Sequence, residues 1–253
     1  MTTPKTVASG QGASGVVYQL EISPSQDKLA KRAAEHLASQ LDLVLAERDR
    51  AQLALAGGTT PAAAYRLLGR EHIAWDRVDV LLGDERWVGP EDPASNARML
   101  HETLLAQEPA RKACFHPVPT ERETPLASAE AFEQTLRQLC GGDPPVLDVI
   151  LLGLGDDGHT ASLFPGSAAA GVTDRAVTVG EGKGLERITL TAPVLSAARQ
   201  VIILVSGAAK QEALKRLLDP GESPLRTPAK LVQPRLPVLV LADAAAAGQV
   251  AGA

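Results

Sequence analysis

The sequence predicts an α/β fold, doubly wound around a mostly parallel, Rossmann-like sheet with helices on both faces. Short stretches that are apolar at every position alternate with amphipathic helical patterns. This alternation is typical of strands buried on both faces of a parallel sheet. Aromatic residues form only 3% of a chain that is 45% hydrophobic, which favours an aliphatic α/β interior over an all-β sandwich. We expect one domain over residues 16–253, behind a flexible tail of residues 1–15.

The first half of the chain contains three predicted strands, each followed by a helical pattern. The strand stretches are β-branched or aliphatic, and the helices are introduced by capping residues or by a proline suited to a first helical turn. The predicted strands are residues 16–22, 53–56 and 78–82, and the helices that follow them begin near Ser25, Pro61 and Ser95.

The second half repeats the arrangement with three further buried strands. They are predicted at residues 147–152, 200–205 and 236–241. A helix that carries Lys210 in its first turn follows the middle one. Residues 187–191 are expected to form an additional strand near the edge of the sheet.

Charge and hydropathy exclude several classes of protein. Acidic residues outnumber basic ones by 30 to 25, and no run of Lys and Arg could neutralise successive phosphates, so nucleic acid is not an expected partner. An anionic ligand would have to be attracted by a few local cations, because the net field opposes it. The sequence has neither a run of about 18 apolar residues nor an apolar segment near residue 1, which predicts a cytoplasmic protein that does not enter membranes.

Neither cysteine nor histidine spacing indicates a metal centre. Cys114 and Cys140 are far apart and lack CxxC spacing, so we expect two buried thiols. The four histidines other than His159 are scattered without HxH or HxxxH spacing. We therefore expect metal-free chemistry and no cofactor.

Four polar loops each follow a predicted strand. Ligands of open parallel sheets bind beyond the carboxyl ends of the strands, so these loops are expected to share one crevice. The loops are residues 57–61, 83–87, 153–165 and 206–210.

The first two loops contain groups suited to an anion. Gly57, Gly58 and Thr59 precede a helix, where N–H groups, hydroxyls and the helix dipole favour a phosphate; the alternative is a tight turn that caps the helix. Arg86 offers a fork of donors beside Asp84, although such residues also form ordinary surface ion pairs.

The third loop is the most informative stretch of the sequence. It reads Gly-Leu-Gly-Asp-Asp-Gly-His-Thr-Ala-Ser-Leu-Phe-Pro from residue 153, with His159 able to exchange a proton near neutral pH and Asp157 close enough in sequence to orient it. In the fourth loop, Lys210 lies at a helix start, where a cation is unfavourable unless an anion binds. The alternative for each residue is a side chain without a functional role: a solvated histidine at 159 and a solvated lysine at 210.

Taken in order, these motifs resemble those of the 6-phosphogluconolactonases. The resemblance is carried by Ala-Gly-Gly-Thr-Thr-Pro61, Gly-Asp-Glu-Arg-Trp-Val88 with Ser-Asn96 beyond it, the block around His159, and Ser-Gly-Ala-Ala-Lys210. It implies a Rossmann-like sheet, hydrolysis of 6-phospho-D-glucono-1,5-lactone, a catalytic role for His159, and a phosphate held by Arg86 and Lys210. Many relatives have a serine where Thr59 stands.

The same superfamily contains glucosamine-6-phosphate deaminases, which also resemble this chain in the Gly-Gly loop and the Asp-Gly-His turn. Those enzymes have a glutamate after the histidine, where this chain has Phe164, so sugar ring opening would lack a proton shuttle. A second alternative is a non-enzymatic sugar-phosphate sensor. It is disfavoured because residues 1–15 are too few for a helix-turn-helix.

The expected mechanism is attack of water on the lactone carbonyl with His159 as general base. Asp157 or Asp84 would stabilise the imidazolium, and Asn96 or loop N–H groups would stabilise the oxyanion. The sequence leaves both choices open. We expect a monomer or a weak homo-oligomer.

Overall fold

The computed structural model describes residues 15–248 and 250. The described part contains ten strands: β1 Tyr18–Ser23, β2 Ala51–Leu55, β3 Val78–Leu82, β4 Asp84–Arg86, β5 Cys114–Phe115, β6 Val149–Gly153, β7 Val177–Gly182, β8 Leu185–Leu190, β9 Gln200–Val205 and β10 Val238–Asp243. Its seven α-helices are α1 Gln26–Glu47, α2 Thr59–Leu68, α3 Asn96–Glu102, α4 Pro125–Leu139, α5 Ala192–Ala197, α6 Gln211–Leu218 and α7 Ala244–Ala247.

Seven strands form an all-parallel sheet in the order β1-β10-β9-β6-β2-β3-β5. Its central strands β2, β3 and β10 are buried at every residue, as the continuous apolar runs predict. The α/β class and the parallel sheet are confirmed. The tail predicted for residues 1–15 lies outside the described residues, apart from Gly15.

The chain order explains where a ligand crevice opens. From β2 the chain continues through α2 to β3 on one side, whereas from β6 it continues to β9 on the other. Because such crossovers are right-handed, the two connections leave the sheet on opposite faces. The neighbours β2 and β6 therefore form a switch point, and their carboxyl ends lead into the loops that begin with Ala56 and Leu154.

A second, three-stranded antiparallel sheet, in the order β4-β8-β7, lies beside the first. The strand expected at residues 187–191 is therefore not near the edge of the parallel sheet; it is β8, the centre of this smaller sheet. The segment from Asp84 to Arg86, expected as a loop, is strand β4. This sheet packs on α4 and brings Arg86 opposite Arg187.

Local signals fix several helix starts. The side chain of Ser25 accepts a hydrogen bond from the N–H of Lys28 at the start of α1, and Ser95 caps α3 in the same way. Pro61 lies in the first turn of α2. The expectation that both thiols are buried is wrong for Cys114, which is exposed because β5 is a two-residue edge strand; Cys140 is buried.

Within the described residues, no helix combines the length and the apolar character needed to cross a membrane.

Candidate active site

A pocket of about 240 Å³ lies at the switch point. Of the residues predicted from the sequence, its lining includes Gly57, Gly58, Thr59, Asp84, Arg86, His159 and Lys210. Asp157 and Asn96 are not in this lining, and each contacts a side chain that is. The four loops thus share one crevice, and the histidine faces the same cavity as Arg86 and Lys210.

Asp157 binds both the ring and the backbone of His159. The Asp157 carboxylate accepts hydrogen bonds from the ring Nδ1 at 2.5 Å and from the backbone N–H of His159 at 3.0 Å. With the carboxylate ionised, Nδ1 carries the proton and Nε2 is left with its lone pair. The structure therefore pairs Asp157, rather than Asp84, with the imidazole.

The electrostatics of this pair keep the imidazole neutral and the carboxylate charged. Burial lowers the pKa of His159 below its ordinary value, although the hydrogen bond and charge of Asp157 act in the opposite direction. Partial burial acts to raise the pKa of Asp157, but the hydrogen bonds from His159 outweigh it, so this pKa is lowered. A neutral imidazole is the form that can accept a proton.

The turn before His159 depends on two glycines. Gly158 has φ +91°, a left-handed conformation that favours glycine. At Gly155, a Cβ would overlap the His159 ring. The turn is closed by a hydrogen bond from the N–H of Gly155 to the carbonyl of His159 at 2.8 Å. These contacts give the catalytic candidate a fixed backbone.

Asp84 lies against the pocket but is already engaged. It is buried, and it accepts a hydrogen bond from the Ser162 hydroxyl at 2.6 Å. Its second neighbour is the Arg187 guanidinium, at 3.6 Å. These contacts tie β4 to the His159 loop and to β8.

Arg86 and Arg187 form a cross-strand pair of like charges. They lie opposite each other on β4 and β8, and both line the pocket. Opposed side chains in an antiparallel pair are about 5 Å apart at Cβ, and like charges there are destabilising. Burial, with a further contribution from Arg86, lowers the pKa of Arg187. An anion between the two guanidiniums would remove this repulsion.

Asn96 orients the Arg86 side chain through a hydrogen bond. Its side-chain oxygen accepts from Nη1 of Arg86 and its amide nitrogen donates to the carbonyl of Asp84 at 2.8 Å. Asn96 is buried, and a Cβ on Gly57 would overlap its amide. Glu85 fixes this corner by accepting from the N–H groups of Asn96 and Ala97, at 2.7 Å each.

Lys210 lines the pocket from the loop after β9. It ends a 3-10 turn that directly precedes α6, rather than lying in the helix itself. The turn is anchored by Asp243, which accepts from the Ser206 hydroxyl at 2.5 Å and from the N–H of Gly207 at 3.1 Å. Its ammonium lies 4.0 Å from a carboxylate oxygen of Asp156.

The loop after β2 completes the pocket with the start of a ten-residue helix. Gly58 is its N-cap residue with φ +116°, and the exposed Thr59 begins α2. N–H groups at a helix start and a threonine hydroxyl are suited to an anion.

Among the described residues, one group has donor atoms close enough together for a metal ion: Asp79, Cys114 and His116. It does not belong to the pocket. Arg50 binds both carboxylate oxygens of Asp79, at 2.8 and 2.6 Å, which places a guanidinium where a cation would have to bind.

The structure adds pocket residues that the sequence interpretation missed. Lys183 and Arg187 come from the β7–β8 hairpin, and Ser206 comes from the loop after β9. Asp243 supports that loop from the end of β10. The available signal was weak: Arg187 is a charged residue inside a strand-like stretch, which indicates a partner but not which one.

The fold and the pocket define a Rossmann-like α/β protein with a cationic ligand site at the switch point of its sheet. The family model for glucosamine-6-phosphate isomerases/6-phosphogluconolactonase matches residues 24–241. The chain belongs to this family.

The chain can be aligned with its relatives over most of its own length and nearly all of theirs. The chain is 40% identical to a 6-phosphogluconolactonase of Synechocystis, over 89% of this chain and 95% of that protein. Among solved structures, it resembles a 6-phosphogluconolactonase from Shewanella baltica, with 30% identity, a TM-score of 0.82, and 89% and 97% of the two chains covered. It also resembles the 6-phosphogluconolactonase from Trypanosoma brucei, with 28% identity, a TM-score of 0.83, and 93% and 99% covered.

Proposed function

We propose that this chain hydrolyses 6-phospho-D-glucono-1,5-lactone to 6-phospho-D-gluconate, the lactonase step of the oxidative pentose phosphate pathway. The curated relatives carry the name of this activity. The observation that carries the proposal in this chain is one pocket that contains a neutral imidazole oriented by a carboxylate and a set of cations placed to bind a phosphate. Both requirements of a phosphorylated lactone are met there.

The reaction needs one proton to be moved twice. Nε2 of His159 accepts a proton from water as the water oxygen attacks C1, and the lactone carbonyl becomes an oxyanion. Asp157 stabilises the imidazolium through Nδ1. When the oxyanion re-forms the carbonyl and the bond between C1 and the ring oxygen breaks, His159 donates the proton to that oxygen. The products are a hydroxyl group and a carboxylic acid, which ionises in water.

The phosphate would be bound by the cations and the helix start. Arg86, Arg187 and Lys210 surround the cavity with Thr59 at the start of α2. Asp84, Gly57 and Gly58 line the same pocket. Asp84 lies 3.6 Å from the Arg187 guanidinium, Gly57 leaves room for the Asn96 amide, and Gly58 gives the left-handed turn before α2. The buried amide of Asn96 orients Arg86, so loop N–H groups remain as candidates for the oxyanion contact.

Phe164 separates this proposal from the deaminase alternative. Its ring lies on the His159 ring, with centroids 4.2 Å apart, and supplies no group that could shuttle a proton. A lactone needs no such shuttle, because its C1 is already an activated carbonyl.

The test is a coupled assay in which a glucose-6-phosphate dehydrogenase generates fresh lactone and acid formation is followed with and without this protein. We expect acid formation well above the spontaneous rate. Ammonia release from glucosamine 6-phosphate, measured in parallel, should be at background. If ammonia were released and acid formation did not exceed the spontaneous rate, the deaminase alternative would replace the lactonase proposal.

The pH dependence should report the neutral imidazole. Because burial lowers the pKa of His159, kcat/KM should rise with pH through an inflection below about 6.5 and level off by neutrality. Asp157→Asn removes a charge that raises the pKa of His159, so the inflection should move to lower pH. The kcat should fall roughly tenfold or more, because a neutral amide stabilises the imidazolium less and can donate to Nδ1, which favours the wrong tautomer. Spontaneous hydrolysis is subtracted at each pH. An inflection that moved to higher pH in Asp157→Asn would contradict the assignment of Asp157.

We also propose that the protein is cytoplasmic and is a monomer or a weak homo-oligomer. It is expected to need no metal or cofactor and to bind no nucleic acid. These remain predictions. Gel filtration with light scattering tests the oligomeric state, and adding a chelator to the lactonase assay tests whether the reaction needs a metal.

A further inference from the structure

Phe164 contributes no atom to the pocket lining, yet it packs against the group proposed to do the chemistry. Its ring is tilted by 33° to the His159 ring, with the centroids 4.2 Å apart. Only 8% of Phe164 is exposed. It therefore covers one face of the imidazole, while Asp157 binds Nδ1.

The place of this ring is set by the β7–β8 hairpin. A Cβ on Gly182 would overlap three atoms of the Phe164 ring. The φ of Gly182 is outside the left-handed region, unlike that of Gly184 at +76°, so an alanine at 182 meets no backbone strain. Gly184 is required by its turn and has open space around it, whereas Gly182 leaves room for the aromatic ring.

Arg187 is the second residue of the hairpin that contacts the Phe164 ring. Its Nε donates to the carbonyl of Gly182 at 3.1 Å, and its guanidinium carbon lies 5.4 Å from the centroid of the Phe164 ring. A cation within about 6 Å of an aromatic ring is attracted to its face. The small sheet thus holds the Phe164 ring through both Gly182 and Arg187.

We propose that Phe164 is a positioning residue for His159: its ring, packed against Gly182, keeps the imidazole against Asp157 and shields one face of the imidazole from water. The inference rests on the proposed function for its catalytic consequence, but its structural part concerns the imidazole alone. The β7–β8 hairpin then acts on the reaction through Phe164.

Several charged groups surround the imidazole in addition to the apolar Phe164 ring. Asp157 from its own loop and Asp84 from β4 favour the protonated form, whereas Lys183 from the hairpin favours the neutral one. Arg187 on β8, Arg86 on β4 and Lys210 after β9 line the same pocket and add positive charge. Burial is the largest of the influences on the pKa of His159, and it lowers that pKa. Removing the ring should therefore raise it.

The first variant is Phe164→Ala, with Phe164→Leu as the conservative replacement that keeps apolar cover. The pKa of His159 is followed by the NMR shift of its ring proton, assigned by the signal that His159→Asn removes. In Phe164→Ala we expect the pKa to rise toward its ordinary value, and kcat to fall about tenfold or more with KM within about twofold. Phe164→Leu should lie between Phe164→Ala and the parent protein in both quantities.

A second variant reaches the ring from another strand. Gly182→Ala should displace the Phe164 ring and shift the pKa and kcat in the same directions as Phe164→Ala. Gly171→Ala is the matched control, because a Cβ there has open space and its φ is not positive. Thermal unfolding checks that each variant is folded. If Phe164→Ala does not fold, Phe164→Leu and Gly182→Ala carry the test.

The inference would be overturned if folded Phe164→Ala kept both the His159 pKa and the kcat of the parent protein. Where Phe164→Ala does not fold, parent values of both quantities in folded Phe164→Leu and Gly182→Ala would overturn it. The titration needs no substrate. A parent protein without lactonase activity would therefore contradict the proposed function, while the pKa shifts would still decide whether Phe164 positions and shields the imidazole.

Discussion

Replacing His159 with alanine should lower the kcat of lactone hydrolysis by about 10²- to 10⁴-fold and leave KM nearly unchanged. The imidazole lies in the pocket with Nδ1 engaged by Asp157, so Nε2 is the nitrogen that would accept the proton of the attacking water in the proposed mechanism. General base assistance acts in the transition state, whereas the phosphate contacts hold the ground state and the transition state alike. Initial rates from the coupled assay, with spontaneous hydrolysis subtracted, give both constants.

The matched control is His72→Ala, since His72 is exposed and lies outside the pocket. It should keep the parent kcat and KM. The His159→Ala variant should unfold at nearly the parent temperature, because the turn is closed by backbone hydrogen bonds that do not involve the ring. Near-normal turnover in a folded His159→Ala variant would rule out the role of this residue as base.

The strands of the parallel sheet can be predicted from the sequence, whereas most of the second sheet cannot. Strands 78–82 and 200–205 were predicted to the residue, because burial on both faces leaves an uninterrupted apolar run. Strand β7 contains Gly180 and Gly182, and β8 begins with exposed residues, so neither shows such a run. Helix α4 was not predicted, although Thr124 followed by Pro125 is an available start signal.

The same difference applies to the site. Asp157 and His159 are two residues apart, and a local turn suffices to pair them, so the sequence could suggest their contact. Arg86 and Arg187 are brought together by the pairing of β4 with β8 across about a hundred residues of chain. Nothing local predicts that register, and Arg187 was missed for this reason.

Asn96 shows a third limit. Its place in a motif indicated a role near the substrate, but a motif does not say whether a side chain faces the ligand or supports one that does. The structure buries Asn96 and engages its amide with Arg86 and the Asp84 carbonyl. Its contribution is therefore expected to pass through Arg86.

Replacing Arg86 with alanine should raise KM for the phosphorylated lactone by roughly 10- to 100-fold with a smaller effect on kcat. Loss of a hydrogen bond to a charged group costs about 1.5–3 kcal/mol, and about 1.4 kcal/mol corresponds to a factor of ten in affinity. Nη1 of Arg86 is held by Asn96 and by the Ala94 carbonyl at 3.2 Å, so the guanidinium is oriented before the ligand arrives. Steady-state kinetics with the phosphorylated lactone measure the change.

Unphosphorylated glucono-1,5-lactone separates phosphate binding from a general disturbance of the pocket. Its KM should be high in the parent protein and almost unaffected by Arg86→Ala, because it lacks the phosphate that Arg86 is proposed to bind. Arg111→Ala is the matched control: this arginine is exposed and pairs with Glu108, and its loss should change neither KM. Arg86→Lys should recover only part of the affinity, since an ammonium keeps the charge but not the fork of donors. Equal losses with both lactones would mean that Arg86 supports the pocket through Asn96 rather than binding the phosphate.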